Sequence, residues 1–371
     1  MRLLVAAGAS GGGVYPALAV LQELGETELE LLWVGGEGGM EEQLVKRAGY
    51  QLTTLPAAGL HGVGLAQLPR SLWQLLRGYF AARRILRQFK PQALFFTGGY
   101  VAAPVALAGS RMGIPTLAFV PDARPGFALR FIARFADVIA IIAPEAGAGY
   151  ARPARLQVSG YPVRKELAAW ATGARRAEAR QHFGLRSDLP TVLVFGGSKG
   201  AQNINRATLA ALPDLLQDKQ VIHITGEANW DALQAQQAAL TPAQAARYRA
   251  FPYLHADMGA ALAAADLAVC RAGASIFGEL PLFGLPAVLV PIAFKQHIQH
   301  DNAALLAQRG AAVVLADEQL GSELAPTVNR VLADAAQLQS MRQAMAAIAT
   351  PDAAAAIAAR LRQLGKAAAS A

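Results

Sequence analysis

The chain has 371 residues, 54% hydrophobic and 16% charged, which excludes a disordered or acidic activation-type protein and suits two domains that each bury a core. Gly, Pro or a charge interrupts each apolar run before the ~18 residues of a spanning helix, and the start is no signal peptide. Cys270, the only cysteine, excludes an internal disulfide and a multi-cysteine zinc site and fits a soluble, cytosolic protein.

In chain order, Arg2–Ala7 reads as a strand, Gly8–Gly13 as a glycine turn, and the stretch to Glu23 as a helix. Further strands are expected at Leu29–Val34, Ala93–Phe96, Thr116–Phe119 and Val138–Ile142. Arg175–Leu189 is polar and charged, as suits a boundary region. The pattern then restarts with the strand Thr191–Phe195, the turn Gly196–Gly200 and the helix Ala201–Leu215. Strands follow at Val221–Ile224, Leu267–Cys270, Ala287–Val290 and Ala312–Leu315. Strands alternating with helices predict an α/β class fold with two Rossmann-like, doubly wound domains facing a cleft. The expected bounds are 1–163 and 164–350, with 351–371 a closing helix that can pack back on the first domain.

Charge is unevenly spread. The net charge is +8, and no acidic residue lies between Gln43 and Pro121, where nine Lys/Arg fall. Such a region attracts phosphate in nucleic acid, anionic lipid or a phosphorylated substrate; arginine used on solvated faces is the plain alternative. Within it, Leu68–Lys90 carries apolar residues near helical spacing, including Trp73 and Phe80, interleaved with Arg83, Arg84 and Arg87. That pattern suits a helix lying on an anionic membrane surface, and equally a helix docked on a sheet. No motif of a known nucleic-acid reader accompanies the charge, so no nucleic-acid partner is expected.

Glycine turns between strand and helix present backbone N–H groups and a helix N-terminus to phosphate, and they occur at Gly8–Gly13, Gly98–Gly99 and Gly196–Gly200. None ends in the GK[ST] of a P-loop, and no dinucleotide fingerprint is present. Two of them also read as GxSxG, around Ser10 and Ser198, the nucleophile-elbow pattern of serine hydrolases. Its recurrence at the opening of each half favours a shared backbone role over a nucleophile. The segment Arg271–Leu280 places small residues and then Glu279 after a buried strand, as a nucleotide-diphosphate pocket requires, with the glutamate able to hold ribose hydroxyls. Lys295, Gln296, His297, Gln299, His300, Asp301 and Asn302 then crowd one helix start, as a sugar-reading rim would.

Taken together, these segments resemble the MurG family, the glycosyltransferases that move N-acetylglucosamine (GlcNAc) from UDP onto undecaprenyl-pyrophosphoryl-N-acetylmuramoyl-pentapeptide. The resemblance runs through GASGGGVYPALAV, FTGGYVAAP, SGYPVR, FGGSKGAQNIN, FPYLHADM, CRAGASIFGE, GLPAVLVPI and the Gln299…Asn302-Ala303 signature, nearly the whole chain. It implies a GT-B architecture and an inverting, metal-independent transfer with no cofactor. It also implies a peripheral location on the cytoplasmic face of the cell membrane, with UDP-GlcNAc and an undecaprenyl-linked lipid as partners. By the same resemblance, Ser198 holds the UDP phosphates and Leu254 and His255 border the uracil. Ala274, Ser275, Ile276, Phe277 and Gly278 wrap the nucleotide, Glu279 meets the ribose, Gln299 reads the sugar, and Arg164 is the donor-side arginine. Ser10, Gly11 and Gly12 face the lipid pyrophosphate, while Trp73, Phe80, Arg83, Arg84 and Arg87 belong to the surface that docks on the anionic inner membrane.

The departures cluster on the acceptor side. The family's first turn ends in a histidine, its usual general base, where this chain has Gly13. The family's His-Glu-Gln-Asn segment reads Phe119-Val120-Pro121-Asp122, so Asp122 brings a carboxylate in the asparagine's place. His61 is the first half's only histidine. Three accounts follow: Asp122 serves as base for the same transfer, the acceptor is another membrane lipid, or the chain binds its substrates and turns over slowly. A UDP-GlcNAc epimerase, with the same two-domain layout, is a further alternative. The intact remainder of the pattern favours the first account.

Overall fold

Two all-parallel sheets, each flanked by helices, carry the chain in the computed structural model. The structure describes residues 1–8, 11–25, 29–37, 41–56, 68–148, 150, 153–197, 200–237, 240–294 and 297–370. It divides into two units, Met1–Arg164 together with Thr350–Ala371, and Lys165–Ala349.

The first unit runs β1 (Arg2–Ala6), α1 (Gly11–Leu24), β2 (Glu30–Gly36), α2 (Glu41–Arg47), β3 (Leu52–Leu55), α3 (Leu68–Phe89) and β4 (Ala93–Phe96). It continues with α4 (Ala102–Arg111), β5 (Thr116–Val120), α5 (Phe127–Ile132), β6 (Val138–Ile141) and β7 (Leu156–Val158). The strand order is β3-β2-β1-β4-β5-β6-β7, with β1 pairing β4 from Leu3 opposite Ala93 to Ala6 opposite Phe96. Every residue of β4, β5 and β6 is buried, because helices cover both faces of a parallel sheet and its strands become continuous apolar runs.

The second unit opens with two short helices, α6 (Lys165–Ala168) and α7 (Arg176–His182), followed by β8 (Thr191–Phe195), α8 (Gln202–Leu215) and β9 (Gln220–Ile224). Then come α9 (Trp230–Gln237), α10 (Pro242–Ala245), β10 (Tyr248–Phe251), α11 (Met258–Ala264), β11 (Leu267–Cys270) and α12 (Glu279–Leu282). Strand β12 (Ala287–Leu289), α13 (Gln299–Gln308), β13 (Ala312–Val314), α14 (Leu320–Ala333) and α15 (Ala335–Ala346) complete it, in the sheet order β10-β9-β8-β11-β12-β13. One partly buried carboxylate ties this unit together. Asp266 accepts from Arg180 at 2.7 Å, Arg342 at 2.7 Å, the Thr191 backbone N–H at 2.9 Å, and Arg176. Burial lowers the Arg180 pKa, and the neighbouring Asp266 charge opposes that shift.

The closing helix α16 (Ala353–Ser370) belongs to the first unit. Arg362 donates to the Glu23 and Leu24 carbonyls at the end of α1, at 2.8 and 3.2 Å, while Ile357, Ala358 and Leu361 are buried. Such a contact also suits the chemistry of a helix C-terminus, whose last carbonyls lack intrahelical donors and attract a cation.

Strands β3, β7 and β10 were not anticipated from the sequence, and all three lie at sheet edges. Their sequences, LTTL, LQV and YRAF, are short and bury only part of their length, so they lack the apolar run that marks the central strands. Among the described residues, no helix is long and apolar enough to cross a membrane.

Candidate active site

Each sheet reverses its strand order once, between β1 and β4 and between β8 and β11. Crevices outside the carboxyl ends of strands at such a reversal are where open α/β sheets bind ligands. The glycine turns fall there.

In the first unit, β1 leads through Ala7 and Gly8 toward Gly11, Gly12 and Gly13, which open α1. Ser10 lies outside the described residues. The next strand over, β4, ends in Thr97-Gly98-Gly99, and the Thr97 hydroxyl donates to the Gly13 carbonyl at 2.5 Å. Gly99 has a φ of +87°, and a Cβ built on it would stand 3.0–3.1 Å from the backbone of Gly8. Only glycine allows the two turns to close on each other this tightly. A Cβ at Gly13 would meet the Gly8 carbonyl at 3.3 Å and Thr97 atoms at 3.6 and 3.8 Å, so it is admitted only when the Gly8 carbonyl gives by a few tenths of an ångström.

Asp122 follows β5, the strand beside β4, and is half-buried on the same carboxyl edge of the sheet. Arg164, the last residue of the first unit, stacks its guanidinium 4.4 Å from the centre of the Tyr15 ring on α1. His61 lies outside the described residues.

One residue at this edge carried no sequence signal beyond its place after a glycine-rich stretch. Glu41, at the start of α2, is buried, and its Oε1 accepts from the Gly36 backbone N–H at 2.9 Å. A Cβ at Gly8 would fall 2.3 Å from that oxygen, so the carboxylate is packed directly against the first turn.

On α3, Trp73 and Phe80 are 60% and 58% exposed, and Leu76 is exposed beside them. Arg84 and Arg87 are exposed on the same helix face and Arg83 is half-buried, while Ala82 and Leu86 turn into the core. The amphipathic stretch is therefore divided between two faces, one packed on the unit and one apolar and basic face open to solvent.

In the second unit, β8 ends in Gly196 and Gly197 before α8; Ser198 and Lys199 lie outside the described residues. Gly200, at φ +72°, approaches the Thr225 carbonyl so closely that a Cβ would sit 2.2 Å from it. After β11 the chain forms a short 3-10 turn at Ala274–Phe277, then Gly278 and α12, which Glu279 begins half-buried. Burial pushes the Cys270 thiol pKa up, and the Glu279 charge adds to the shift, which places that carboxylate near the end of β11.

Arg271 and Asp317, which the sequence reading did not connect, pin these loops. Arg271 donates to the Val290 and Pro291 carbonyls at 3.3 and 3.2 Å and pairs with Asp317, whose other oxygen accepts from Asn203 on α8. Buried Asn302 on α13 donates to the Ala272 carbonyl at 3.0 Å. Nothing in the local spacing pairs Arg271 with Asp317, 46 residues on; only the parallel topology joins them.

Gln299 opens α13 and accepts from the Ile292 N–H at 3.2 Å, while His300 donates to the Ile292 carbonyl at 2.9 Å. Burial, with the charge of His300 second, lowers the His297 pKa. Lys295 and Gln296 lie outside the described residues. Leu254 is buried and His255 exposed just past β10, where the Tyr253 and His255 rings lie 4.5 Å apart.

Each unit therefore places glycines at the carboxyl ends of its central strands and at a helix start, an arrangement suited to polyphosphate, and the second adds a carboxylate and a polar helix start along the same sheet edge. Two family models match. The glycosyltransferase family 28 N-terminal domain covers residues 3–141 and the C-terminal domain of the same family covers residues 191–357. A Roseiflexus sp. (strain RS-1) protein named UDP-N-acetylglucosamine–N-acetylmuramyl-(pentapeptide) pyrophosphoryl-undecaprenol N-acetylglucosamine transferase is 38% identical, over 95% of this chain and 93% of its own. A Desulforudis audaxviator protein of the same name is 37% identical over 95% of both chains. Among solved structures, Acinetobacter baumannii MurG superposes with a TM-score of 0.75 at 28% identity, over 98% of this chain and 99% of its own. A Neisseria meningitidis UDP-GlcNAc 2-epimerase, at 11% identity and a TM-score of 0.68 over 98% and 100%, shares the fold alone.

Proposed function

The chain belongs to glycosyltransferase family 28, and on that premise we propose that it transfers GlcNAc from UDP-GlcNAc to the muramoyl C4 hydroxyl of a pyrophosphoryl-undecaprenol acceptor, a step of peptidoglycan synthesis. The observation that carries this reading is the likeness to such transferases along almost the entire chain, both family domains included. Likeness to the epimerases is of fold only, which does not favour that alternative.

The reaction is an inverting displacement. The acceptor oxygen bonds to C1 of GlcNAc from the face opposite the leaving group, the C1–O bond to UDP breaks, and a base takes the hydroxyl proton. In the second unit, the N-terminus of α8 and the glycine turn before it meet the charge that develops on the UDP pyrophosphate. Ser198 adds a hydroxyl to that turn. Glu279 holds the ribose, Ala274–Gly278 lie against the nucleotide, Leu254 and His255 border the uracil and Gln299 reads the sugar. Arg164 supplies a cation on the donor side.

In the first unit, Ser10, Gly11 and Gly12 meet the acceptor pyrophosphate. Asp122 is the base, since Gly13 has no proton acceptor in its side chain. Its place on the carboxyl edge of the sheet that bears both glycine turns supports this role. The exposed face of α3, with Trp73 and Phe80 beside Arg84 and Arg87 and with Arg83 at its margin, supports peripheral docking on an anionic membrane at its cytoplasmic face.

The test supplies UDP-GlcNAc with and without a lipid-linked muramoyl-pentapeptide acceptor. The proposal expects GlcNAc to enter the lipid fraction, β-linked, only when the acceptor is present. Conversion of UDP-GlcNAc to its 2-epimer without acceptor would refute it.

A further inference from the structure

We infer that a cavity between α3, α4 and α5 seats the first isoprene unit of the acceptor's polyprenyl chain, lifting it out of the bilayer and so setting the pyrophosphate at the glycine turn. This inference rests on the proposed transfer to a polyprenyl-linked acceptor and adds a subsite to it.

The cavity is about 140 Å³. An apolar cavity of ~150 Å³ takes up a benzene molecule and otherwise stays dry, so this one matches about one five-carbon isoprene unit. Its walls are Leu75 and Tyr79 of α3, Pro104 and Leu107 of α4, and Phe127 and Phe131 of α5.

Three observations select the occupant. First, the wall includes Tyr100, the residue after Gly99, whose backbone packs against Gly8 of the proposed acceptor turn. A ligand whose pyrophosphate lies at that turn therefore has its tail beside the cavity mouth. Second, the cavity is continuous with exposed apolar surface, because Leu75 and Tyr79 share α3 with the open face of Trp73, Leu76 and Phe80. Third, cationic groups adjoin its wall: the exposed Arg111 guanidinium lies 5.4 Å from the Tyr79 ring centre, and exposed Arg130 is the neighbour in sequence of the wall residue Phe131. Cationic groups beside an apolar slot fit a lipid whose head is a pyrophosphate.

Burying a methylene is worth a factor of about four in affinity, so seating one five-carbon unit with about half of its surface newly removed from water is worth about 30-fold. The experiment measures calorimetric binding of methyl, geranyl and n-decyl pyrophosphate to the full chain, without bilayer or detergent. Geranyl pyrophosphate is expected to bind about 30-fold more tightly than methyl pyrophosphate. Ala128→Phe, which fills the cavity from α5, should abolish that preference, and Ala103→Phe, filling it from α4, gives the same reading should the first variant fail to fold by circular dichroism.

Phe80→Ser should keep the geranyl preference while weakening vesicle binding. Equal binding of methyl and geranyl pyrophosphate overturns the inference, as does a geranyl preference that survives both filling variants. Loss of the preference in Phe80→Ser would place the tail on the exposed face instead, and tighter binding of n-decyl than of geranyl pyrophosphate would assign the slot to straight acyl chains; either overturns the inference. Because these readouts involve no sugar transfer, a failed transfer assay would count against the catalytic reading and leave this one standing on its own result.

Discussion

Replacing Asp317 by alanine should loosen the nucleotide side of the second unit, by an amount the structure sets. The Asp317 side chain is 3% exposed and that of its partner Arg271 is 12% exposed, so the pair is shielded from water. Removing one member of a buried pair costs about 3–5 kcal/mol, because the remaining charge stays buried without compensation. Arg271 keeps the Val290 and Pro291 carbonyls, which places the expected loss near the lower end, about 3 kcal/mol. Asn203 also loses its acceptor on Asp317. Urea unfolding reads this as a lower midpoint at constant slope. Since the same contacts order the loops after β11 and β12, UDP should bind about tenfold more weakly in calorimetry, the cost of ordering them on binding. The double variant Arg271→Met with Asp317→Leu removes both charges and should recover most of the stability. A loss below about 1 kcal/mol in Asp317→Ala, or a double variant no better than the single, would refute the reasoning.

Burial holds the pKa of His223 at about 3, well below its ordinary value, between Tyr248 at 2.9 Å and Asn205 at 3.1 Å. The unfolded chain takes up a proton near pH 6.5 and the folded chain does not, so this group costs about 1.4 kcal/mol of stability per pH unit as pH falls from 6.5 toward 3. His223→Gln should lose about 2 kcal/mol less than the native chain between pH 6.5 and 5 in urea unfolding, and parallel pH profiles would contradict this. With Asp122 as the proposed base, Gly13→His should change kcat by less than about tenfold; a gain of about 10²–10⁴ would mean the native chain lacks a base. Trp73→Ser and Phe80→Ser should each weaken binding to phosphatidylglycerol vesicles by about tenfold, as loss of a half-inserted side chain implies, and unchanged sedimentation with vesicles would remove α3 from the docking surface.

The central strands were legible because buried parallel strands are continuous apolar runs; the first glycine stretch, expected as a turn through Gly13, is helical from Gly11 on, and Ala9, Ser10, Ser198 and Lys199 lie outside the described residues. Ala93–Phe96, Thr191–Phe195 and Leu267–Cys270 are strands over the residues expected. Of the four edge strands only β13 was legible, since LTTL, LQV and YRAF carry no run that distinguishes them from loop. Long-range polar contacts were also hidden. Arg271 meets Asp317, and Asp266 gathers three arginines, only because the strand order brings distant loops together. Glu41 was hidden for a different reason: a glutamate at a helix start normally faces water, and its burial against Gly8 is visible only when β1 and β2 are paired. The basic and apolar residues of α3 were visible as a pattern, but its division into a packed face and an open one emerged from the fold.

The most direct test of the account is the rate at which the native chain and Asp122→Asn transfer GlcNAc from UDP-GlcNAc to the lipid-linked acceptor, at saturating concentrations of both substrates. The account predicts turnover by the native chain and a fall in kcat of about 10²–10⁴ in the variant, with KM for UDP-GlcNAc unchanged. Full turnover by Asp122→Asn would contradict the assignment of the base, and a native chain that binds UDP-GlcNAc but transfers nothing to this acceptor would contradict the proposed reaction.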